Sequence, residues 1–187
     1  MFNYNRNIQK AELSALTFSL DIEGKKVKAT NVSKKRKAKL EEKLQYAKKK
    51  GKLPKIVIPV HFGGQPCDMK EIYALSKKYN FKIIEDAAHA FGVEVNGESI
   101  GNFGDITMFS FHPTKLFHTG EGGALVFNDP NLRQRIEYLK NFGIKSEEEV
   151  LLPGINGKMG ELQAAMGLNV LPLVKQEQEK RAFIRKI

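Results

Sequence analysis

Two stretches of this chain end apolar runs in groups that can do chemistry. In the first, Lys82-Ile83-Ile84-Glu85-Asp86-Ala87-Ala88-His89, a β-branched run delivers carboxylates into a turn of small residues, with His89 close behind Asp86. In the second, Phe109-Ser110-Phe111-His112-Pro113-Thr114-Lys115 carries a hydroxyl and then a lysine off a strand edge. Thr119-Gly120-Glu121-Gly122-Gly123 follows as flexible backbone. An amine, a carboxylate and a hydroxyl are the three kinds of group that pyridoxal 5'-phosphate (PLP) requires of a protein. The amine holds the aldehyde as an imine, the carboxylate keeps the pyridine nitrogen protonated, and hydroxyl and backbone N–H donors bind the phosphate. Lys115, Asp86 and Ser110 fill those roles in type. Each also has an ordinary reading: a surface lysine, a helix cap and a satisfied hydroxyl, with His89 and His112 as partly buried histidines. Spacing alone leaves both readings open.

The elements that must position these groups can be read from periodicity. Leu40, Leu44 and Ala47 recur at helical spacing, and Gly51 and Pro54 close that helix. Residues 56–60 form a short β-branched run, expected as a buried strand. A turn-like stretch at 61–66 leads to Asp68, which should cap a helix running to about Tyr79, with Ile72 and Leu75 on its inner face. Strands are expected at 81–86, 105–111 and 123–127, and a helix from Asp129-Pro130 to near Gly143. A last long helix is expected over about 158–185, bent at Pro172. Its Met159, Leu162, Met166, Val170 and Leu173 recur at three- or four-residue spacing, which predicts a buried stripe. Strands alternating with helices argue for an α/β fold with a mainly parallel sheet and flanking helices. In such sheets ligands sit outside the carboxyl ends of the strands, where Asp86 and Ser110 fall.

Composition narrows the function classes. At 187 residues, 41% hydrophobic and 28% charged, the chain has the make-up of one well-packed globular domain. No run of about 18 apolar residues is present to span a membrane, and residues 1–20 lack the pattern of a signal peptide. The single Cys67 excludes an internal disulfide and any multi-cysteine metal site, so a reduced, cytoplasmic setting is the expectation. The net charge of +10 lies wholly in residues 1–55, which hold 16 Lys+Arg against 5 Asp+Glu, while the remaining 132 residues hold 15 against 16. A basic run at residues 34–39 without aromatic interleaving reads as a solvated helix face or tail rather than a nucleic-acid site.

The two reactive segments belong to a larger pattern. Glu85-Asp86-Ala87-Ala88-His89, then residues 109–115, then Gly120-Glu121-Gly122-Gly123 resemble the signature of the DegT/DnrJ/EryC1/StrS family of nucleotide-sugar aminotransferases. Residues 59–68 are similar to that family's preceding strand and loop. Gly154-Ile155-Asn156-Gly157-Lys158-Met159 with Glu161-Leu162-Gln163-Ala164-Ala165 resembles its later motif. The resemblance implies part of the large domain of the fold-type-I PLP-dependent transferase fold. It divides the chain into a basic segment 1–38 unlike the family, a PLP-binding α/β portion 39–157, and a helix 158–187 leading to a C-terminal domain not contained here.

Roles follow from the resemblance position by position. Lys115 would form the imine and move the proton. Asp86 would pair with the pyridine nitrogen, with His89 beside it, and Ser110 would bind the phosphate. Gln65 would reach the ring hydroxyl. Asn156 resembles the asparagine that reaches the phosphate of a neighbouring subunit, which implies a homodimer. The implied reaction moves an amino group from an amino acid, glutamate in most members, to a keto-deoxy sugar on a nucleoside diphosphate. It would serve amino-sugar and cell-surface polysaccharide synthesis. A lysine at position 115 argues against the branch that carries histidine there and dehydrates sugars. Residues 115–119 and 153–159 look most like enzymes acting at sugar carbon 4. The alternative expectation is a truncated, non-catalytic portion of such an enzyme, because the small-residue phosphate turn and ring-packing aromatic of the family are not found in residues 1–38.

Overall fold

A computed structural model of the chain describes residues 18–22, 25–29 and 33–185, and only the backbone course of those before Lys39. In chain order the elements are β1 (Phe18–Ile22), β2 (Lys25–Ala29), α1 (Ser33–Lys49), β3 (Ile56–Val57), α2 (Met69–Tyr79) and β4 (Lys82–Asp86). A small hairpin of β5 (Glu94–Val95) and β6 (Glu98–Ser99) comes next, then β7 (Ile106–Ser110), β8 (Gly123–Val126), α3 (Pro130–Lys140), α4 (Glu161–Val170) and α5 (Val174–Ile184).

The central sheet has the order β3-β4-β7-β8. β3, β4 and β7 are mutually parallel, and β8 returns antiparallel to β7, so the sheet is mainly parallel with helices packed on it. β1 and β2 form a separate antiparallel pair. The β3 ladder covers only Ile56 and Val57 of the strand expected over 56–60. Pairing resumes at Val60, which bridges to Asp86, because Pro59 between them has no N–H to give.

Alternation along β4 and β7 assigns the faces. Val57, Ile83, Glu85 and Thr107 are fully buried on one face, while Ile84, Asp86, Ile106, Met108 and Ser110 on the other are half-buried. α1 and α2 cover the first face. Leu40, Leu44, Met69, Ile72, Leu75 and Tyr79 pack there against Val57, Phe81 and Ile83, each such side chain contributing about 1.5–3 kcal/mol. Asp68 caps α2 as its position predicts, its side chain accepting the Glu71 N–H at 3.3 Å. A second cluster, built on Ala87, Ala90, Ile100, Phe109, Phe111 and Phe117, lies beyond the carboxyl ends of β4 and β7.

Two expectations about helices need correction. α1 starts at Ser33, so the basic run at 34–39 lies on helical backbone ahead of the Leu40 stripe. The long helix expected over 158–185 is two helices, beginning at Glu161 and broken by a 3₁₀ turn at Leu171–Leu173, where Pro172 lacks a donor. Its expected buried stripe is also exposed: Leu162 is 83% accessible, and Met159, Met166 and Leu173 face outward too. α4 instead presents Gly167, with Gln163, Ala164 and Val170 half-buried beside it. Gly167 lies so close to Phe117 and Thr119 that a Cβ there would sit 3.0 Å from the Thr119 methyl. Small residues permit that approach, and it rotates the large apolar row away from the domain.

Candidate active site

Asp86 and Ser110 end neighbouring parallel strands on the same sheet face, and their placement follows from the register Asp86 to Met108 with Ser110 two residues on. Asp86 Oδ1 accepts the Ala88 N–H at 3.0 Å, closing the small-residue turn that carries His89. Its other oxygen has no hydrogen bond among the described residues. Ser110 Oγ accepts the His112 N–H at 3.4 Å, which leaves its proton available to an acceptor.

Lys115 sits in the loop that joins β7 to β8. Phe111 and Phe117 anchor that loop from both sides, meeting edge to face at 4.7 Å, with Phe91 stacked on Phe117 at 4.8 Å. The Phe111 N–H donates to Gly122 O, the Thr119 N–H to Phe111 O, and the Lys115 N–H to His112 O. Lys115 is therefore half-buried on a braced turn. Its ammonium has no ion-pair or hydrogen-bond partner among the described residues. A free amine, a free carboxylate oxygen and a free hydroxyl proton are the donor set that PLP needs, so these residues fit that cofactor.

His89 reports that the groups are neighbours. Its pKa lies below the ordinary 6.5, first because the ring is partly desolvated and next because the Lys115 ammonium disfavours a second positive charge. The Asp86 carboxylate acts in the opposite direction. His89 Nδ1 accepts the Gly63 N–H at 3.1 Å, and the Phe62 ring meets the imidazole edge-on at 5.7 Å.

Gln65 and Asn156 are placed differently. Gln65 is exposed and lines an open cavity of about 1230 Å³ along α2 and the β5–β6 hairpin, which takes in none of Lys115, Asp86, Ser110 or His89. Asn156 is exposed, its backbone bridged to Asn141 beyond α3. His112 is exposed and bonds Thr114, its Nδ1 lying 2.9 Å from the hydroxyl. The lone Cys67 is buried, with Sγ donating to Val60 O at 3.2 Å.

A cluster that sequence reasoning left inside the motifs lies directly behind the site. His61, Glu85 and Thr107 are fully buried, with His61 Nε2 2.8 Å from Glu85 Oε2 and Thr107 Oγ1 donating to Glu85 Oε1 at 3.1 Å. The available signal was Glu85 itself, a carboxylate at an inward position of an apolar strand, which requires buried donors nearby.

The sequence profile of the DegT/DnrJ/EryC1/StrS aminotransferase family matches residues 19–187. The chain belongs to that family. This family match takes in residues 19–38, which the five motifs leave out. Across 112 residues the chain is 49% identical to the dTDP-4-amino-4,6-dideoxy-D-glucose transaminase of Shigella dysenteriae, covering 60% of this chain and 30% of that one. The crystal structure of a DegT/DnrJ/EryC1/StrS aminotransferase from Brucella abortus superimposes with a TM-score of 0.75 at 30% identity, covering 80% of this chain and 41% of that one. The PLP form of Spr1654 from Streptococcus pneumoniae gives 0.58 at 28% identity, covering 65% and 37%. The fold is thus that of the PLP-dependent aminotransferases, and PLP is general to the family. The chain spans about a third of the length of the curated relatives it matches. No helix among the described residues is long and apolar enough to cross a membrane.

Proposed function

We propose that this chain carries the cofactor-holding part of a PLP-dependent nucleotide-sugar aminotransferase. The acceptor would be a keto-deoxy sugar linked to a nucleoside diphosphate, the donor an amino acid, glutamate first, and the working unit a homodimer. The observation that carries the reading is the convergence of Lys115, Asp86, Ser110 and His89 at the carboxyl ends of β4 and β7, in a chain similar to sugar transaminases. Bound PLP supplies an electron-poor ring that stabilises negative charge at the carbon losing its proton.

The protein's own groups supply the rest. Lys115 Nζ would hold the aldehyde end, then serve as the base and acid that moves a proton between substrate and cofactor. Its freedom from any ion pair among the described residues suits a group that must change partners. The open oxygen of Asp86 would hold the proton at the ring nitrogen, and the Ser110 hydroxyl would donate to the phosphate. His89 would close the side of the ring next to Asp86. Gln65 would reach the ring hydroxyl only if its loop carried it out of the α2 groove. Asn156, exposed beyond the end of α3, would serve a second copy rather than its own site.

Absorbance of the purified chain with added PLP, beside Lys115→Ala, tests this reading. A Lys115-dependent band near the visible edge that bleaches on adding glutamate is the expected result. Absence of any Lys115-dependent band overturns it. A second reading, in which the chain holds PLP but turns nothing over alone, is favoured by the exposed apolar side chains Leu162 and Leu168 on α4 and Leu173 in the turn after it. It predicts the band without the bleaching.

A further inference from the structure

Glu85 is the chain neighbour of Asp86 on β4, yet its side chain points to the opposite face, into the core. A fully buried carboxylate is costly unless its oxygens are satisfied, and here both are, by His61 and Thr107. The tautomer of His61 follows from its other nitrogen. The Cys67 N–H donates to Nδ1 at 3.0 Å, so the ring proton is on Nε2 and is given to Glu85. Thr107 belongs to β7 and His61 to the segment leaving β3, so one carboxylate ties together the three parallel strands at the level of the site.

The connection reaches the site face through main-chain bonds and the loop after His61. The His61 N–H donates to Asp86 O at 2.9 Å, and the Asp86 N–H to Pro59 O at 2.8 Å. Two residues on, the Gly63 N–H bonds the His89 ring, and Gly64 approaches so closely that a Cβ would lie 3.0 Å from His89 O. The Cys67 N–H on His61 Nδ1 pins the far end of the same loop. The core on this face of the sheet, with Val57, Ile83, Phe81 and Leu44, is apolar. A satisfied buried polar network adds little stability over apolar packing but restricts geometry.

We propose that Glu85, gripped by His61 and Thr107, is a positioning residue that sets the place of Asp86 and the orientation of the His89 ring without touching cofactor or substrate. The assignment of Asp86 and His89 to the cofactor rests on the function proposed above. Three variants of the full chain test the role of Glu85. Glu85→Gln can keep the network, its carbonyl accepting from His61 and its amide donating to Thr107 Oγ1, whose own proton can turn to Phe103 O. Glu85→Leu cannot. Leu75→Ala disturbs the same core at α2 and leaves the carboxylate alone.

The first readout needs no cofactor. Nitrogen-15 shifts of the neutral His89 ring report which nitrogen holds the proton. Wild type, Glu85→Gln and Leu75→Ala should show the Nε2–H tautomer, and Glu85→Leu a mixture. The second is the PLP dissociation constant from an absorbance titration. It should rise about tenfold or more in Glu85→Leu, the scale on which losing an outer-shell partner weakens a metal site, and stay near wild type in the other two. A single tautomer retained in Glu85→Leu overturns the proposal, and so does equal loosening of PLP by Leu75→Ala. If wild type itself binds no PLP, the cofactor reading falls and the His89 tautomer still decides the positioning role. Should Glu85→Leu fail to fold, Thr107→Val, which removes one of the two donors, is read by the same measurements.

Discussion

Gly104→Ala should destabilise the protein well beyond the ordinary penalty for a side chain at positive φ. Gly104 has φ +71, where an L side chain costs roughly 1–2 kcal/mol. Its added Cβ would also lie 2.6 Å from Glu85 Oε1, inside any real contact distance. The carboxylate has nowhere to retreat, because His61 and Thr107 hold its two oxygens. Overpacking of this kind adds about 1–3 kcal/mol. Gly97 supplies the control: φ is +81, and nothing lies within 4 Å of its Cβ position. The expected losses are therefore about 2–5 kcal/mol for Gly104→Ala and about 1–2 kcal/mol for Gly97→Ala. Urea unfolding followed by circular dichroism reads both, with unchanged slope as the check that only stability moved. In a thermal melt each kcal/mol corresponds to roughly 2–4 °C for a domain of this size. Equal losses at the two glycines would mean that the Glu85 carboxylate is free to move, and the buried network would lose its rigidity as an explanation.

Other consequences can be measured on the same material. Leu44→Ala, at a fully buried position, should cost about 2–5 kcal/mol, whereas Leu162→Ala on the outward face of α4 should change stability by no more than about 0.5 kcal/mol; the reverse order in urea melts would restore the inward stripe. Lys115→Met should raise the His89 pKa and Asp86→Asn should lower it further, followed by NMR titration of the ring; indifference to both would separate the groups in space. Because the folded His89 pKa lies below 6.5, the unfolded chain binds a proton that the folded one refuses. Stability therefore falls as pH drops through 6.5 and levels off below the folded value. His89→Gln should flatten that part of the urea-midpoint profile relative to wild type, and an unchanged slope would deny the shift.

Much of the fold was legible because local rules and packing agree. The Leu40–Leu44–Ala47 spacing names the face that α1 buries, and Asp68 caps α2 where its position predicts. Lys115, Asp86 and Ser110 stand out in the sequence by type, and the sheet brings Asp86 and Ser110 together, since β4 and β7 are parallel neighbours whose carboxyl ends coincide. The α4–α5 region was misread for a physical reason. Periodicity finds large apolar residues, but the contact is made by Gly167, whose missing side chain leaves no hydrophobic signal. The break at Pro172 was placed correctly, though as a bend rather than as two helices. Glu85 and His61 went unnoticed because their partners are 22 and 24 residues away in sequence, and only strand pairing shows that the three groups share one buried point.

The central claim is that one lysine, at position 115, takes the cofactor in a chain that holds 31 lysines and arginines, with its densest basic run at residues 34–39. Borohydride reduction of the protein with limiting PLP, followed by peptide mass mapping, fixes the cofactor to whichever amine held it. The proposed site predicts a phosphopyridoxyl group on the peptide containing Lys115, lost in Lys115→Ala and weakened in Asp86→Asn. A label spread over the basic run, and unchanged in Lys115→Ala, would contradict it.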